Sequence, residues 1–312
     1  MGKRHLLLVL ALLIVGTRSV HADSYLALGG HMYGTTPDLH PSPGFQAALD
    51  SLSGYPLDAY IAGGDCTFSG AAAEWDTLQS LVSAHWSFDF VPVLGNHDAT
   101  DLGQWYQRWG DDTYRTDYDS TRVLILWSGQ YPNGNMDQEH LDFIVSELAQ
   151  AATDPSVTDV LVVQHHLAWV KNHPRYEIVR QMGNGWYDEF SGRGYDVNAF
   201  FDEIWPSMAS LAQAKPVTFY CGDAGYSALR PGIFYDVLDG VTLLASGYDA
   251  HGDEDSDAVI LYRAVGGQVQ LQLFSPWGWP LGQVQDYDLA YWEARLAGPA
   301  DPAPAVPPAP AY

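Results

Sequence analysis

Short apolar runs, each followed at once by glycine or polar residues, recur along this sequence and constrain its fold more than any other feature. The runs that predict strands cover residues 25–28, 59–62, 90–94, 122–127, 160–164, 217–220, 241–245, 258–263 and 269–274. Segments with helical spacing separate them at 45–51, 71–83, 103–109, 137–151 and 199–214. Early alternation of strands and helices, followed by a strand-rich last third, favours a layered α/β sandwich over separate domains.

Five of these predicted strands end in clusters whose side chains can bind a metal ion. The clusters are Gly29-Gly30-His31, Gly63-Gly64-Asp65, Gly95-Asn96-His97-Asp98, His165-His166 and Cys221-Gly222-Asp223-Ala224-Gly225. Ligands of open α/β sheets bind at the carboxyl ends of the strands, and glycine lets the chain turn sharply there. Imidazole nitrogen, carboxylate oxygen and amide oxygen form a mixture that suits Zn, Mn or Fe. Each cluster alone is weak evidence, but their joint occurrence predicts a metal-dependent site.

In their order along the chain, the clusters resemble the motifs of the calcineurin-like metallophosphoesterase superfamily. Members carry D-x-H, G-D, G-N-H-[DE], an isolated histidine and G-H-x-H. Gly64-Asp65 and Gly95-Asn96-His97-Asp98 match outright, and either His165 or His166 fits the isolated histidine, of which we favour His165. The resemblance spans roughly residues 25 to 275. It implies an α/β fold, a four-layer α/β/β/α sandwich, formed as a single domain over residues 23–297.

The resemblance implies two neighbouring metal sites that share Asp65. The first site keeps only His31 and Asp65, because Gly29 stands where the first motif has its aspartate. Two protein ligands rarely hold a divalent ion firmly, so we expect this first site to be eroded.

The second site is expected to be intact. It keeps Asp65, Asn96 and His165, and Asp223 offers a carboxylate where the last motif has its first histidine. Gly225 replaces the other histidine of that motif. Whether Asp223 is a ligand or a turn residue stays open. The expected cofactor is a divalent metal ion, one or two per chain, with Mn, Zn, Fe and Ca as candidates.

The resemblance also assigns catalytic roles to His97, Asp98 and His31. His97 would lie beside the leaving group and donate a proton or stabilise its developing charge, and Asp98 would orient it by bonding the other ring nitrogen. His31 would bind phosphate or the attacking water. Phe68 stands three residues after Asp65, where purple acid phosphatases carry a tyrosine ligand, so we expect no purple, tyrosine-ligated centre.

The charge of the chain limits its partners. With 38 acidic and 14 basic residues in 312, the formal net charge is -24. Such a surface repels phosphate backbones and anionic lipids, so neither nucleic acid nor a membrane surface is an expected partner. The same charge favours a small or weakly charged phosphoester as the substrate. The sequence leaves the oligomeric state open.

The two ends of the chain differ from the middle. Residues 1–22 combine a basic start, an apolar run at 6–15 and small residues at positions -3 and -1, Val20 and Ala22, which predicts a signal peptide cleaved after Ala22 and a secreted or periplasmic protein. An uncleaved anchor is the alternative. Residues 298–312 are almost entirely Pro and Ala and predict a disordered, extended tail. Cys66 and Cys221 are expected near the same pocket, as a disulfide or as two buried thiols.

Two functions remain in competition. The first is an exported metal-dependent phosphoesterase that hydrolyses a phosphomonoester or phosphodiester with metal-activated water. The second is a catalytically inactive protein of the same fold that binds a phosphorylated or saccharide ligand. Asp65 and the intact Gly-Asn-His-Asp motif favour the first, while Gly29 and Gly225 favour the second. A serine hydrolase is disfavoured, since no Gly-x-Ser-x-Gly elbow follows a predicted strand.

Overall fold

A computed structural model describes residues 23–34, 39–128, 137–169, 173–176, 200–224, 232–249 and 257–297. Its strands are β1 (Ser24–Gly29), β2 (Ala59–Ala62), β3 (Asp89–Pro92), β4 (Tyr114–Tyr118), β5 (Thr121–Ile125), β6 (Asp159–Gln164), β7 (Val217–Cys221), β8 (Ile233–Leu238), β9 (Val241–Ser246), β10 (Val259–Val265) and β11 (Gln268–Phe274). Its helices are α1 (Pro43–Leu52), α2 (Ala72–His85), α3 (Leu102–Trp109), α4 (Gln138–Thr153), α5 (Trp205–Leu211) and α6 (Leu289–Ala297). The predicted signal peptide, the predicted tail and Gly225 lie outside the described residues.

The strands form two mixed sheets, each with a block of adjacent parallel strands. The first sheet has the order β11-β10-β1-β2-β3, in which β1, β2 and β3 are parallel. The second has the order β4-β5-β6-β7-β9-β8, with four parallel strands between antiparallel edges. Because parallel neighbours run in register, for example Gln164 opposite Cys221, their carboxyl ends meet at one edge of the sheet.

Three apolar layers separate these sheets and the helices that cover them. In β6, Val160 and Val162 face the helices, whereas Leu161 and Val163 face the other sheet. This explains why the central strands read as continuous apolar runs, since both of their faces are buried. Helices α1–α3 pack on the outer face of the first sheet, and α4–α6 pack on the outer face of the second. The predicted α/β/β/α sandwich is therefore confirmed.

All nine predicted strands are present, and four of the five predicted helices match α1 to α4. The fifth, at 199–214, is broken into a π-helical turn, Phe200–Ile204, followed by α5, whose first turn contains a proline without an N–H donor. The sequence analysis missed β4, β8 and α6. In the described part of the chain, no helix has the length and apolar character needed to cross a membrane.

Candidate metal centre

The two sheets touch backbone to backbone at the end of the sandwich where the predicted site residues lie. A Cβ atom added to Gly63, after β2, would lie 2.7 Å from the Cα of Gly222, which follows β7. Gly30, after β1, makes a similarly close approach to Gly222. Only glycine permits this contact. It brings the loops of both sheets around one point, where the five polar clusters meet.

Asp65 supplies a buried carboxylate at this point. Its Oδ1 accepts a hydrogen bond from the backbone N of His97 at 3.0 Å and lies 3.3 Å from Nε2 of His165. Its Oδ2 is buried and has no hydrogen-bond partner among the described residues. Burial alone would raise the pKa of Asp65, but the neighbouring His165 outweighs it and lowers that pKa, so the side chain is ionised. An unpartnered buried carboxylate oxygen is costly unless a cation binds it.

His165 lies between Asp65 and Asp223. Its Nδ1 donates to the carbonyl oxygen of Gly63 at 2.9 Å, and its Nε2 lies 3.1 Å from Oδ1 of Asn96 and 3.8 Å from Oδ1 of Asp223. Burial would lower the pKa of His165, but the two carboxylates raise it to about 10. The ring is therefore protonated in the ion-free protein, and its proton balances charge that a metal ion would otherwise neutralise.

His166 reaches the same place as His165. Its Nε2 lies 3.2 Å from Oδ1 of Asn96, and its Nδ1 lies 2.6 Å from Oγ of Ser128. The sequence left the choice between the two histidines open, and the fold brings both side chains to Asn96.

His31 lies on the first-sheet side of the site. Its ring is fully buried and its backbone has a φ of 54°, a left-handed conformation that non-glycine residues rarely adopt. Burial, opposed by Asp65, lowers the pKa of His31 to about 4. A neutral imidazole results, which is the form that binds metal ions.

The ligand atoms form two groups within the described residues. One consists of His31, Asp65 and Asp223, the other of His165, His166 and Asp223, and within each group the atoms lie within 4.8 Å of one another. Asp223 belongs to both groups, whereas the resemblance implied Asp65 as the shared ligand. Buried imidazoles and carboxylates are a suitable donor set for a divalent ion, and Oδ2 of Asp65 has no hydrogen-bond partner among the described residues that would compete with the ion. The residues present therefore fit the metal that the motifs imply.

His97 lies beside these groups and is only partly buried. Its Nδ1 donates to the backbone carbonyl of Phe68 at 2.7 Å, and its Nε2 lies 3.1 Å from the hydroxyl of Tyr33. The ring centroids of Tyr33 and His97 are 4.4 Å apart. Two neighbours thus fix the orientation of this imidazole, and neither of them is Asp98.

The prediction that the His97 ring bonds to Asp98 is therefore wrong. Asp98 turns away from that ring and accepts hydrogen bonds from backbone N–H groups of Cys66, Thr67 and Gly95 and from the hydroxyl of Thr67, at 2.8 to 3.1 Å. Burial raises the pKa of Asp98, and the hydrogen bonds of Thr67 and Cys66 oppose that rise. Asp98 anchors the loop that carries Asp65 and does not contact the imidazole it was expected to orient.

At Gly29, where the first motif has its aspartate, a neighbouring tyrosine occupies the space that a side chain would need. A Cβ atom at Gly29 would collide with the hydroxyl of Tyr60, which lies 2.9 Å from the hydroxyl of Tyr248. Both tyrosines are fully buried. The absence of an aspartate at Gly29 is thus matched by the packing around it.

Cys66 and Cys221 are two buried thiols with no disulfide between them, one of the two expected states. Cys66 packs with the helices of the first sheet, and Cys221 packs with those of the second. Burial raises the pKa of each thiol.

Sequence reasoning missed two residues at the site, Tyr33 and Ser128. Ser128 directly follows the predicted strand at 122–127, so the rule that revealed the other clusters also points to it. Tyr33 lies two residues after His31, and nothing in its sequence context signals a contact with His97, because that contact depends on how two loops pack.

Two stacked mixed sheets, helices on both outer faces and a polar site at the strand ends define the metallophosphoesterase fold. Among solved structures, the chain is similar to a dimetal phosphatase from Danio rerio, with a TM-score of 0.54 and 11% identity over 81% of this chain and 98% of that one. It is similar to the purple acid phosphatase PPD1 from yellow lupin, with a TM-score of 0.57 and 11% identity over 84% of this chain and 53% of that one. It thus spans about half of the lupin enzyme.

A third similar structure is GAP50, the anchor in the inner membrane complex of Plasmodium. The TM-score is 0.54 and the identity 10%, over 81% of this chain and 85% of that one. No family model and no curated protein matches the sequence. At such low identity, the structural likenesses establish the fold, and function must be argued from the site.

Proposed function

We propose that the chain is an exported, metal-dependent phosphoesterase that hydrolyses a small phosphomonoester or phosphodiester. The observation that carries this proposal is Asp65, an ionised buried carboxylate whose Oδ2 has no hydrogen-bond partner among the described residues. A metal ion would satisfy this oxygen, and the surrounding donors are of the types that bind one.

Asp65, Asn96, His165 and Asp223 would hold the metal ion, and His31 would contribute to a second, weaker position. Mixed imidazole and oxygen donors suit Mn, Zn or Fe better than Ca, which prefers oxygen ligands throughout. A bound divalent ion would neutralise charge on the phosphoryl group and lower the pKa of water.

His97 is the proposed proton donor to the leaving-group oxygen. The hydrogen bond from Nδ1 of His97 to the Phe68 carbonyl fixes the orientation of the ring. That orientation determines the direction in which Nε2 can face a substrate. His31 is a less suitable phosphate ligand than the sequence implied, because it is fully buried and its lowered pKa leaves it uncharged. We assign it to metal binding.

The net charge of -24 supports a small or weakly charged substrate, since a polyanion would be repelled. Export rests on the predicted signal peptide at residues 1–22. Neither nucleic acid nor a membrane is proposed as a partner.

The test is hydrolysis of p-nitrophenyl phosphate and bis-p-nitrophenyl phosphate by chelator-treated protein to which Mn, Zn, Fe or Ca is returned singly. We expect activity with at least one metal, and loss of at least about a hundredfold in kcat/KM in Asp65→Asn. Asp76→Asn, an exposed carboxylate that pairs with Arg108, is the matched control and should retain full activity. Hydrolysis that is absent with every metal, or unchanged in Asp65→Asn, contradicts the proposal.

A second candidate function is a non-catalytic protein of this fold. The observation that favours it is the collision between a Cβ at Gly29 and Tyr60, since the packing no longer admits the first-motif carboxylate. GAP50, a similar structure, is described as the anchor in the inner membrane complex of Plasmodium, and that description also supports this candidate. Metal binding without hydrolysis in the same assay would support this candidate.

A further inference from the structure

We propose that His166 is a metal ligand beside His165, so that these two histidines and Asp223 together hold one divalent ion. The inference rests on the proposed function only in requiring that a metal ion bind at this site. It places two histidines at a position where the motif pattern has one, whereas the sequence offered His166 only as an alternative to His165.

The orientation of the two imidazoles is the first argument. Each ring has its Nδ1 in a hydrogen bond that points away from the site, His165 with the Gly63 carbonyl at 2.9 Å and His166 with the Ser128 hydroxyl at 2.6 Å. The Nε2 atoms then converge on Oδ1 of Asn96, at 3.1 and 3.2 Å. Histidines that bind metals characteristically use one nitrogen for the metal and fix the other in this way.

The second argument is that adjacent residues reach one point because the strand has just ended. β6 ends at Gln164, whose side-chain amide donates to the carbonyl of His166 at 2.6 Å and fixes the turn. The planes of the two rings are inclined at 64° to each other, with centroids 4.7 Å apart. In a continuing strand, consecutive side chains would instead point to opposite faces of the sheet.

The third argument is the position of Asp223. Its backbone N donates to the carbonyl of His165 at 3.1 Å, and Gln164 pairs with Cys221 in the register of β6 and β7. The sheet itself therefore sets the spacing between the carboxylate and both histidines. All three side chains are buried, at 0%, 5% and 3% exposure, where solvent screens charge weakly.

Ser128 completes the arrangement. It is fully buried, and its hydroxyl can either donate to or accept from Nδ1 of His166. When Nε2 binds a metal, Nδ1 must carry the proton, and Ser128 can accept that hydrogen bond by rotating its hydroxyl. It is a positioning residue for His166.

The experiment is a titration of chelator-stripped, full-length protein with Co²⁺, followed by visible absorption and by metal content after gel filtration. The variants are His166→Gln, His165→Gln and Ser128→Ala. The matched control is His85→Gln, at a histidine that is more exposed than His165 and His166. We expect His85→Gln to bind as the parent does, and Ser128→Ala to lose about tenfold or more in affinity. His166→Gln should lose more than Ser128→Ala, and its Co²⁺ spectrum should change.

Parent-like Co²⁺ affinity and spectrum in both His166→Gln and Ser128→Ala would overturn the inference, as would an absence of Co²⁺ binding by the parent. Ser128→Ala decides the question if His166→Gln does not fold.

Hydrolysis is a separate readout. A parent that binds Co²⁺ through His166 but cleaves no phosphoester contradicts the proposed function alone, whereas an active parent whose His166→Gln variant keeps its metal contradicts only this inference.

Discussion

The hydroxyl of Tyr33 lies 3.1 Å from Nε2 of His97, the ring nitrogen left available by the hydrogen bond between Nδ1 and Phe68. The phenol ring also contacts the imidazoles of His31 and His97, with centroids 4.5 and 4.4 Å away. Tyr33 therefore connects the first-sheet side of the metal centre to the proposed proton donor. It can act through its hydroxyl, through its ring, or through both.

Replacement of Tyr33 by Phe separates these two contributions, because it keeps the ring and removes only the hydroxyl. We expect kcat to fall about three- to tenfold, the value of one hydrogen bond, with KM nearly unchanged. The fall should be larger for aryl phosphates with poor leaving groups, which depend more on proton donation. Steady-state kinetics on a series of aryl phosphates measures this, with Tyr235→Phe on β8 as the control. An equal fall across the series would show that the hydroxyl has only a structural role.

A double-mutant cycle on Gly29 and Tyr60 tests whether the tyrosine hydroxyl excludes a side chain at Gly29. Gly29→Ala should reduce the free energy of unfolding by about 1–3 kcal/mol, because its Cβ collides with the Tyr60 hydroxyl. Adding Tyr60→Phe removes the colliding oxygen, so the double variant should be more stable than the sum of the single effects predicts. Urea denaturation measures all three.

Gly54→Ala is the matched control for that cycle, since no atom lies within 4 Å of the added Cβ. It should change stability by no more than about 0.5 kcal/mol. Strict additivity of Gly29→Ala and Tyr60→Phe would show that the tyrosine hydroxyl does not exclude a side chain at Gly29.

The site could be located from sequence because its residues follow strands. Asp65, Asn96 and His165 each come directly after an apolar run or its glycine turn, and parallel strands bring such ends together. The partner of each side chain could not be predicted in the same way. Asp98 contacts the loop of Cys66 and Thr67, more than thirty residues earlier, and packing alone decides that it does so.

The missed strands β4 and β8 are edge strands, with fewer fully buried residues and a weaker apolar pattern than the central strands. A local signal for β8 was nonetheless present. Asp239-Gly240 joins β8 to β9, both residues have positive φ, and Asp-Gly between apolar runs is a strong hairpin signature. This turn would have predicted β8, an edge strand of the second sheet, as the hairpin partner of β9.

Lys215 stabilises the end of α4. Its Nζ donates to the carbonyl oxygen of Ala151, one of the last carbonyls of the helix, which lack an intrahelical partner, and to that of Asp154 just after the helix, both at 2.6 Å. Lys215→Met keeps the aliphatic stem and removes the charge, so we expect a loss of about 1–2 kcal/mol in unfolding free energy. Chemical denaturation measures it, with the exposed Arg295→Met in α6 as the control. Equal stability of the two variants would contradict this role.

Asp159 joins the two sheets at the end away from the metal centre. It begins β6 and accepts a hydrogen bond at 2.6 Å from the hydroxyl of Tyr262 on β10 in the other sheet, and others from Thr121 and Thr158 at 3.2 and 2.9 Å. Burial nevertheless raises the pKa of Asp159. The hydrogen bonds offset only part of the cost of burying the charge.

This shift has a definite sign for stability. Below the unfolded-state pKa of about 3.9, Asp159 is protonated in both states and costs nothing. As the pH rises, the unfolded chain ionises first, so stability is lost until the pH exceeds the raised native pKa. Asp159→Asn removes this loss. Its stability relative to the parent should therefore improve as the pH rises above about 4, as urea denaturation at each pH would measure. A difference that stays constant, or that worsens toward neutral pH, would show that the native carboxylate is not destabilised by its burial.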